Sequence, residues 1–288
     1  MCPLCKSLDF RKNGFFQKNN GRTKQIQRHF CRSCKKSFSK MTFSPFRGER
    51  KSHVNQKIFR LLSSGVSQRE TARLVGVHHI TVARKLIRLS RSIQQQSRQN
   101  SKIQQSGEII FDEMESFEHS KCKPLSIAVA VNGRTRSIIS IKVASMPAKG
   151  HLSKISLKRY GYRRDDRPKA INDVLSEVGQ RFKNVETVTS DESPRYPIQM
   201  KKHFPSATHT TYKGRRGCIV GQGELKRGGF DPLFSLNHTC ALIRDRVKCM
   251  SRRTWCTTKC PERLEDRLLL YMWRHNQEIN GRKRLTRV

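Results

Sequence analysis

The spacing of apolar residues changes along the chain and predicts a helical region followed by an α/β region. Residues 53–91 carry apolar residues at helical spacing. Short apolar runs at 108–112, 125–131 and 137–144 predict three strands. Asn132-Gly133 lies between the last two runs and predicts a hairpin with positive φ at both turn positions.

The α/β pattern continues to the end of the chain. The later predicted elements are a helix at 169–182, strands at 185–189 and 208–212, a basic glycine-rich loop at 213–229, and helices at 237–253 and 261–278. Residues 92–107 are rich in Gln and Ser, so we expect the tail of a helix and a linker there. The predicted domains are 1–40, 52–91 and, after the linker 92–107, 108–288.

Charge narrows the choice of partner. The chain has 60 Lys and Arg against 22 Asp and Glu, a formal net charge of +38. A polyanion would relieve the resulting self-repulsion. Nucleic acid is the favoured partner, because neutralising phosphates releases counterions and strengthens binding. On charge alone, a purely architectural binder of nucleic acid is the alternative.

Hydrophobicity argues against a membrane protein. The longest unbroken apolar run, 268–273, is far shorter than a membrane span. The first five residues lack the apolar stretch of a secretory signal peptide. We therefore expect no membrane association and a cytoplasmic, nucleoid-associated location.

Two CxxC pairs begin the chain: Cys2 with Cys5, and Cys31 with Cys34. Each pair places two thiolates on one turn, and two such turns provide the four tetrahedral sulfurs that zinc prefers. The spacing predicts a zinc ribbon with structural Zn²⁺. A redox pair is the alternative, although a redox motif needs only one CxxC. The later cysteines lack this spacing, and we expect them to be core thiols.

Residues 67–89 predict a helix-turn-helix. Ser67 and Glu70 form a capping-box pattern, and Gly76-Val77 supplies the turn. On the first helix Ala72, Leu74 and Val75 form the predicted apolar face, and on the second Val82, Leu86 and Leu89 point inward. The outward side chains, expected to contact DNA, are His79, Thr81, Arg84 and Lys85. An ordinary helical hairpin is the alternative, because the pattern is short.

Two aspartates each end a predicted apolar strand. Asp112 ends the strand at 108–112, and Asp191 follows the one at 185–189. A pair of carboxylates at adjacent strand ends can hold Mg²⁺ or Mn²⁺ for phosphodiester chemistry. Turn or cap aspartates are the alternative for each taken singly. The third ligand is open: the candidates are Asn237, through its carbonyl oxygen, Glu224 and Asp245. His238 is a further candidate for contact with a phosphate, or a packed histidine.

These blocks resemble bacterial insertion-sequence transposases of the InsA–InsB type, over nearly the whole chain. The matching blocks are Asp112-Glu113-Met114 with Ser116-Phe117, Thr189-Ser190-Asp191 with Tyr196, and Arg244-x-Arg246 followed by Arg252-Arg253-Thr254. Asn237 stands where the family carries its third acid, a Glu. This departure implies either a catalytic triad with Asn or an inactive copy.

The resemblance implies a ribonuclease H-like catalytic domain that cleaves and joins DNA with a divalent cation. The ribbon and helix-turn-helix would bind the terminal inverted repeats of the element, and the enzyme would act as a homo-oligomer on two double-stranded ends. The basic residues expected along the DNA path are Arg244, Arg246, Lys248, Arg252 and Arg253. The alternatives are a non-enzymatic DNA-binding regulator and a Holliday-junction or repair nuclease.

Overall fold

The computed structural model describes residues 1–18, 24–99, 103–213, 231–251 and 255–285. The chain divides into two compact units, Met1–Gln56 and Lys57–Val288. No helix in the described ranges is long and apolar enough to cross a membrane.

The first unit is built on a small antiparallel sheet. Its strands, in the order β1-β2-β3, are β1 (Phe10–Lys18), β2 (Lys24–Cys31) and β3 (Ser37–Phe38). The rings of Phe10, His29 and Phe38 contact one another, with centroids 5.3 to 5.4 Å apart. Phe38 and the buried Cys2 and Cys31 form its core. So small a core provides little hydrophobic stabilisation.

Three helices follow: α1 (Asn55–Ser63), α2 (Gln68–Val75) and α3 (His79–Gln99). The predicted start of α2 is confirmed, since the Ser67 hydroxyl accepts a hydrogen bond from the Glu70 N–H. The predicted turn is also present: Gly76 ends α2 in the left-handed conformation, with φ 71°.

The segment 92–107, predicted to be the tail of a helix and a linker, holds the end of α3 and the start of the next strand. Helix α3 continues to Gln99, with Ser92 and Ile93 buried, and the next strand begins at Gln104. Helix α3 packs against the last helix of the chain, where the Ser90 hydroxyl donates to Asp266. The helical region is therefore packed into the second unit.

A five-stranded mixed sheet forms the centre of the second unit. Its strands are β4 (Gln104–Phe117), β5 (Pro124–Asn132), β6 (Ile138–Ser145), β7 (Phe182–Asp191) and β8 (Thr208–Tyr212). The order is β6-β5-β4-β7-β8. Strand β5 is antiparallel to both β4 and β6, whereas β4, β7 and β8 are parallel. The predicted mixed α/β class is confirmed.

Helices cover both faces of this sheet. They are α4 (Leu152–Tyr160), α5 (Arg167–Gly179), α6 (Tyr196–His203), α7 (Phe234–Arg246) and α8 (Pro261–Leu285). One buried cluster joins the sheet to α5 and α6, and a second joins its other face to α7 and α8. Helices α4 and α6 were not predicted.

The β5–β6 hairpin is present, but its turn differs from the predicted one. The Asn132 side-chain oxygen accepts hydrogen bonds from the N–H groups of Arg134 and Thr135, and Arg136 carries the positive φ, 61°. Gly133 is not one of the described residues with positive φ, and a Cβ there would lie 2.8 Å from the Glu108 carboxylate, so that flexible side chain would have to move. The connection is therefore longer than a two-residue turn.

Candidate functional site

Four cysteine sulfurs converge in the first unit. The Sγ atoms of Cys2, Cys5, Cys31 and Cys34 all lie within 4.8 Å of one another. Cys2 lies 3.8 Å from Cys34, and Cys5 lies 3.5 Å from Cys31. Tetrahedral zinc with Zn–S bonds of about 2.3 Å requires sulfurs about 3.8 Å apart. This site can therefore hold a structural metal such as zinc.

Local backbone geometry builds both halves of the cysteine site. The residue after each CxxC pair, Lys6 or Lys35, has positive φ, 62° and 56°. The Lys6 N–H donates to the Cys2 carbonyl at 2.8 Å, which closes the first turn.

A hydrogen bond from the Cys34 backbone lowers the pKa of Cys31 to about 6, and the thiolate it favours is the form that binds zinc. Despite a hydrogen bond from the Ser7 backbone, burial and the neighbouring thiols raise the pKa of Cys5 to about 12, so this thiol needs the metal to lose its proton.

Strand register places Asp112 beside Asp191. Strand β7 ends at Asp191, and the last pair it forms with β4 is Phe111 with Ser190. Asp112 is the next residue of β4, which continues to Phe117, so the prediction that this strand ends at Asp112 is wrong.

Both aspartates lie on the α7 face of the sheet. Every second residue of a strand points to the same face, so Asp112 shares its face of β4 with Ile110 and Met114. Both of these belong to the core formed with α7 and α8. Val188 belongs to the opposite core, which places Asp191, three residues later, on the Asp112 face. The parallel register and the shared face bring these two predicted metal ligands together.

The surroundings of Asp112 oppose its negative charge. Burial raises the pKa of Asp112 to about 7 despite a hydrogen bond from the Glu113 N–H, and the charges of Asp191 and Glu113 contribute to the rise. The Glu113 N–H donates at 2.6 Å, and the Tyr196 hydroxyl donates at 3.4 Å. A cation bound beside Asp112 would offset much of this penalty, because its positive charge stabilises the ionised carboxylate that burial disfavours.

Glu113 points to the opposite face and is held by the protein. Its carboxylate accepts hydrogen bonds from Ser126, Tyr196 at 3.2 Å and Arg195 at 3.1 Å. Tyr196 also contacts Asp112, so this network links the two neighbouring acids of β4. Glu113 and Tyr196 had no predicted role, and Arg195 was not predicted. Strand alternation at Asp112-Glu113 is the pattern that separates the two acids.

Helix α7 carries two of the candidate third ligands. Burial raises the pKa of Cys240 to about 12, and the charge of Asp112 contributes, so Cys240 lies near enough to Asp112 to interact with it electrostatically. Asn237 lies one turn earlier, about 60° around the helix from Cys240. It is exposed, and its amide donates to Asp231 at 2.9 Å, a carboxylate that the sequence analysis missed.

The other candidate third ligands are less well placed. Asp245 lies about 140° around α7 from Cys240. It interacts electrostatically with Tyr271 on α8, on a different side of the helix. Glu224 lies outside the described residues. Asn237 is thus the α7 candidate nearer to the Asp112 side.

A divalent cation fits the two aspartates as a partial ligand set. Among the described residues, only the four cysteines bring three or more Cys, His, Asp or Glu ligand atoms together. Mg²⁺ is commonly held by one or two carboxylates, with substrate phosphate and water completing its shell. Asp112 and Asp191 match that requirement, and the unfavourable charge at Asp112 favours a cation.

One of the four residues of α3 that were predicted to face outward and contact DNA is buried. His79 and Arg84 are exposed and Thr81 is half-buried, but Lys85 is buried. Lys85 follows Val82 by three positions and therefore lies on the same, core-facing side. On α2, Leu74 is exposed rather than part of the apolar face.

The basic end of α7 is only partly available to a ligand. Arg246 forms an ion pair with Glu278 at 3.1 Å, Arg244 is half-buried and Lys248 is exposed. The ring of His238 packs on Phe234, with centroids 5.6 Å apart, which favours a packed histidine. Arg252 and Arg253 lie outside the described residues.

A scan against models of known protein families finds no match to this chain, and a search of curated proteins finds none either.

Proposed function

We propose that this protein is a DNA transposase that hydrolyses a phosphodiester at each end of an element and joins the freed 3′-hydroxyl to target DNA. The observation that carries the proposal is the pairing of Asp112 and Asp191 on one face of adjacent parallel strands. Paired carboxylates of this kind are suited to a cation that acts on a phosphodiester.

The topology supports a ribonuclease H-like assignment for the second unit. The order β6-β5-β4-β7-β8, with an antiparallel meander beside parallel strands, is the order expected of such a core. Helix α7, which carries the candidate third ligand Asn237, packs against β4 and β5, and this packing supports the proposal.

The chain's own groups would hold and orient the reactants. Asp112 and Asp191 would hold the cation, and Asn237 would add a neutral carbonyl oxygen from α7. When bound, Mg²⁺ or Mn²⁺ would activate the attacking oxygen and stabilise the leaving oxygen. Tyr196 and Arg195 hold Glu113 and thereby fix the adjoining backbone of Asp112.

DNA binding would come from the other parts of the chain. The net charge of +38 favours duplex DNA at low salt, and the exposed His79 and Arg84 form part of the available face of α3. The cysteine unit would be a second DNA-contacting module. Joining two ends in one reaction calls for a homo-oligomer.

The catalytic proposal is tested by nicking and strand-transfer assays with Mg²⁺ on DNA carrying the element ends. We expect Asp112→Asn or Asp191→Asn to reduce the rate about 10³-fold or more, a loss of about 4 kcal/mol of transition-state stabilisation. DNA affinity should stay within about threefold, since each change removes only one negative charge. Asp173→Asn, on α5, is the matched control and should remain active. Full activity in both aspartate variants contradicts the proposal.

Asn237 favours a second candidate, a non-enzymatic DNA-binding regulator derived from a transposase. A neutral amide contributes less charge to a cation than a carboxylate. If the natural protein binds ends but never cleaves, whereas Asn237→Glu gains cleavage, the regulator is the better description. Cleavage by the natural protein that Asn237→Ala abolishes supports the enzyme with an Asn ligand.

The DNA-binding half is tested with neighbouring cations of α3. We expect Arg84→Ala to weaken duplex binding about 3- to 10-fold and to reduce the salt slope by about 1. Lys85→Met should leave the salt slope unchanged, because Lys85 is buried. A loss of salt dependence in Lys85→Met, but not in Arg84→Ala, would overturn the assignment of the exposed face.

A further inference from the structure

Trp255 is fully exposed, at 101%, in a chain with only two tryptophans. A tryptophan side chain carries a large apolar area, and leaving all of it in water is unfavourable. The other tryptophan, Trp273, is half-buried on α8. Trp255 therefore stands out as a residue with a use other than packing.

The segment that carries Trp255 is attached firmly to the sheet. Thr258 is buried and bridges to Glu118, just after the end of β4, and the His119 N–H donates to the Thr258 carbonyl at 2.8 Å. Trp255 lies three positions before that attachment, so its backbone lies within roughly 10 Å of Thr258. The exposed ring is therefore carried by a backbone segment that is attached to the sheet.

A second exposed aromatic residue, Tyr162, lies next to an arginine that pairs with the same glutamate. Arg163 forms an ion pair with Glu118 at 3.5 Å, and both side chains are largely buried. The residue before it, Tyr162, is 83% exposed. Helix α4, which leads to this segment, is held on the β4–β5 turn by a hydrogen bond from the Ser156 hydroxyl to the Cys122 carbonyl at 2.7 Å. Glu118 thus ties Tyr162 and Trp255 to one end of the sheet.

The segments that carry and adjoin these rings are positively charged. The sequence from 158 to 164 is Lys-Arg-Tyr-Gly-Tyr-Arg-Arg. The acids of the neighbouring segments are paired: Glu118 with Lys123 and Arg163, Asp165 with Arg167, and Asp166 with Arg164. The exposed cations that add to the net positive charge of this region are Lys121, Lys158, Arg159 and Lys259.

We propose that Tyr162 and Trp255 stack on unpaired bases of a DNA strand, so that this end of the sheet is a single-strand binding surface. Exposed rings can stack on base faces only where the bases are not already stacked in a duplex, and cations beside them bind the phosphates. The proposal rests on the proposed function for the nature of the strand. Glu118 lies six residues after Asp112 on one extended segment, roughly 20 Å away. A strand held there can continue to the paired aspartates.

The test measures binding of the full-length protein to oligodeoxythymidine and to a duplex of equal length, without divalent cation. Trp273→Phe leaves Trp255 as the single tryptophan, whose emission reports its own surroundings. We expect the oligonucleotide to quench this emission, because stacking brings a base against the indole. Trp255→Ala should weaken single-strand binding about 5- to 100-fold, Tyr162→Ala should weaken it in the same direction, and Trp255→Phe should lose less. Duplex affinity should change less than threefold in each variant.

Ile103→Ala is the matched control, since Ile103 is 58% exposed just before the opposite end of β4. It should leave single-strand affinity unchanged. Three results would overturn the proposal: Trp255 emission that does not change at saturating oligonucleotide, equal affinity of Trp255→Ala and the natural protein, or equal losses for duplex and single strand. Emission that depends on protein concentration without DNA would assign the ring to a second copy of the chain instead. Because no cleavage is measured, these results do not depend on whether the aspartates are catalytic.

Discussion

The two candidate metal sites of this protein are built in different ways. In the first unit, two turns of four residues each hold a pair of cysteines, and all four sulfurs already lie within 4.8 Å of one another. In the second unit, Asp112 and Asp191 come from separate strands, and Asn237 comes from a helix on another layer. One ligand set is closed by local turns, whereas the other depends on register and packing.

The electrostatic surroundings of the cysteine site and the aspartate site also differ. Backbone hydrogen bonding lowers the pKa of Cys31 to about 6, so one thiol of the cysteine site is prepared for negative charge before metal binds, whereas the pKa of Cys5 is raised to about 12. Burial raises the pKa of Asp112 to about 7, so the ionised carboxylate is destabilised in the metal-free protein. The four cysteines could therefore hold a structural metal as part of the fold of the first unit, whereas under the proposed function a cation at the aspartates of the second unit would be a ligand for the chemistry.

Removal of metal should affect the two units differently. We expect a chelator, or Cys31→Ser, to unfold residues 1–56, because zinc binding contributes about 10 kcal/mol to small zinc domains and this core is small. Amide NMR of the full chain would show loss of dispersed resonances from the first unit while those of the second persist. Cys122→Ser, which changes a buried cysteine of the second unit, should leave one zinc per chain by native mass spectrometry. Dispersed resonances from a metal-free first unit would show that this unit folds without metal, and the contrast between the two candidate metal sites would then disappear.

Asp112→Asn should stabilise the metal-free protein. With the folded pKa near 7, the folded state holds a proton between roughly pH 4 and pH 7 that the unfolded state releases, so the unfolding free energy falls as pH rises through that window. The asparagine lacks this penalty. At pH 8 we expect it to be about 1 to 3 kcal/mol more stable than the natural protein, and the difference should shrink towards pH 4.

Denaturant unfolding at several pH values, with and without Mg²⁺, measures this effect. Mg²⁺ should raise the stability of the natural protein at pH 8 and leave Asp112→Asn unchanged, because a ligand that binds the folded state stabilises it. Parallel pH curves for the two proteins would show that Asp112 is not destabilised by burial. The second half of the comparison would then fail.

Tyr196→Phe should shift the pH profile by a smaller amount. The Tyr196 hydroxyl donates to Asp112 at 3.4 Å and holds its pKa down, so its removal should raise that pKa above about 7. The acid limb of Mg²⁺-dependent cleavage should then move to higher pH by about 0.3 to 0.5 units, as expected for the loss of one long hydrogen bond.

Tyr271→Phe is the matched control for this shift. The Tyr271 hydroxyl is buried and has no hydrogen-bond partner among the described residues, so its removal should leave the pH profile unchanged. Equal shifts in both variants would mean that the Tyr196 hydroxyl does not act on Asp112.

Local patterns in the sequence were sufficient for much of this architecture. The CxxC pairs specify their own turns, Ser67 specifies the start of α2, and the strand at 208–212 has the predicted bounds. The two aspartates also follow from local pattern, as charged residues at the ends of short apolar runs. Such features depend on a few consecutive residues, whose turn geometry and periodicity are fixed by short-range sterics and hydrogen bonds.

Features that join distant segments required the tertiary structure. Asp112 and Asp191 become neighbours only through the parallel register of β4 and β7, and Glu113 finds Ser126, Arg195 and Tyr196 only once those strands and α6 are packed. The same holds for Glu118, which joins the segments of Tyr162 and Trp255. Register and packing are set by the burial of the whole core at once, which no short window of sequence contains.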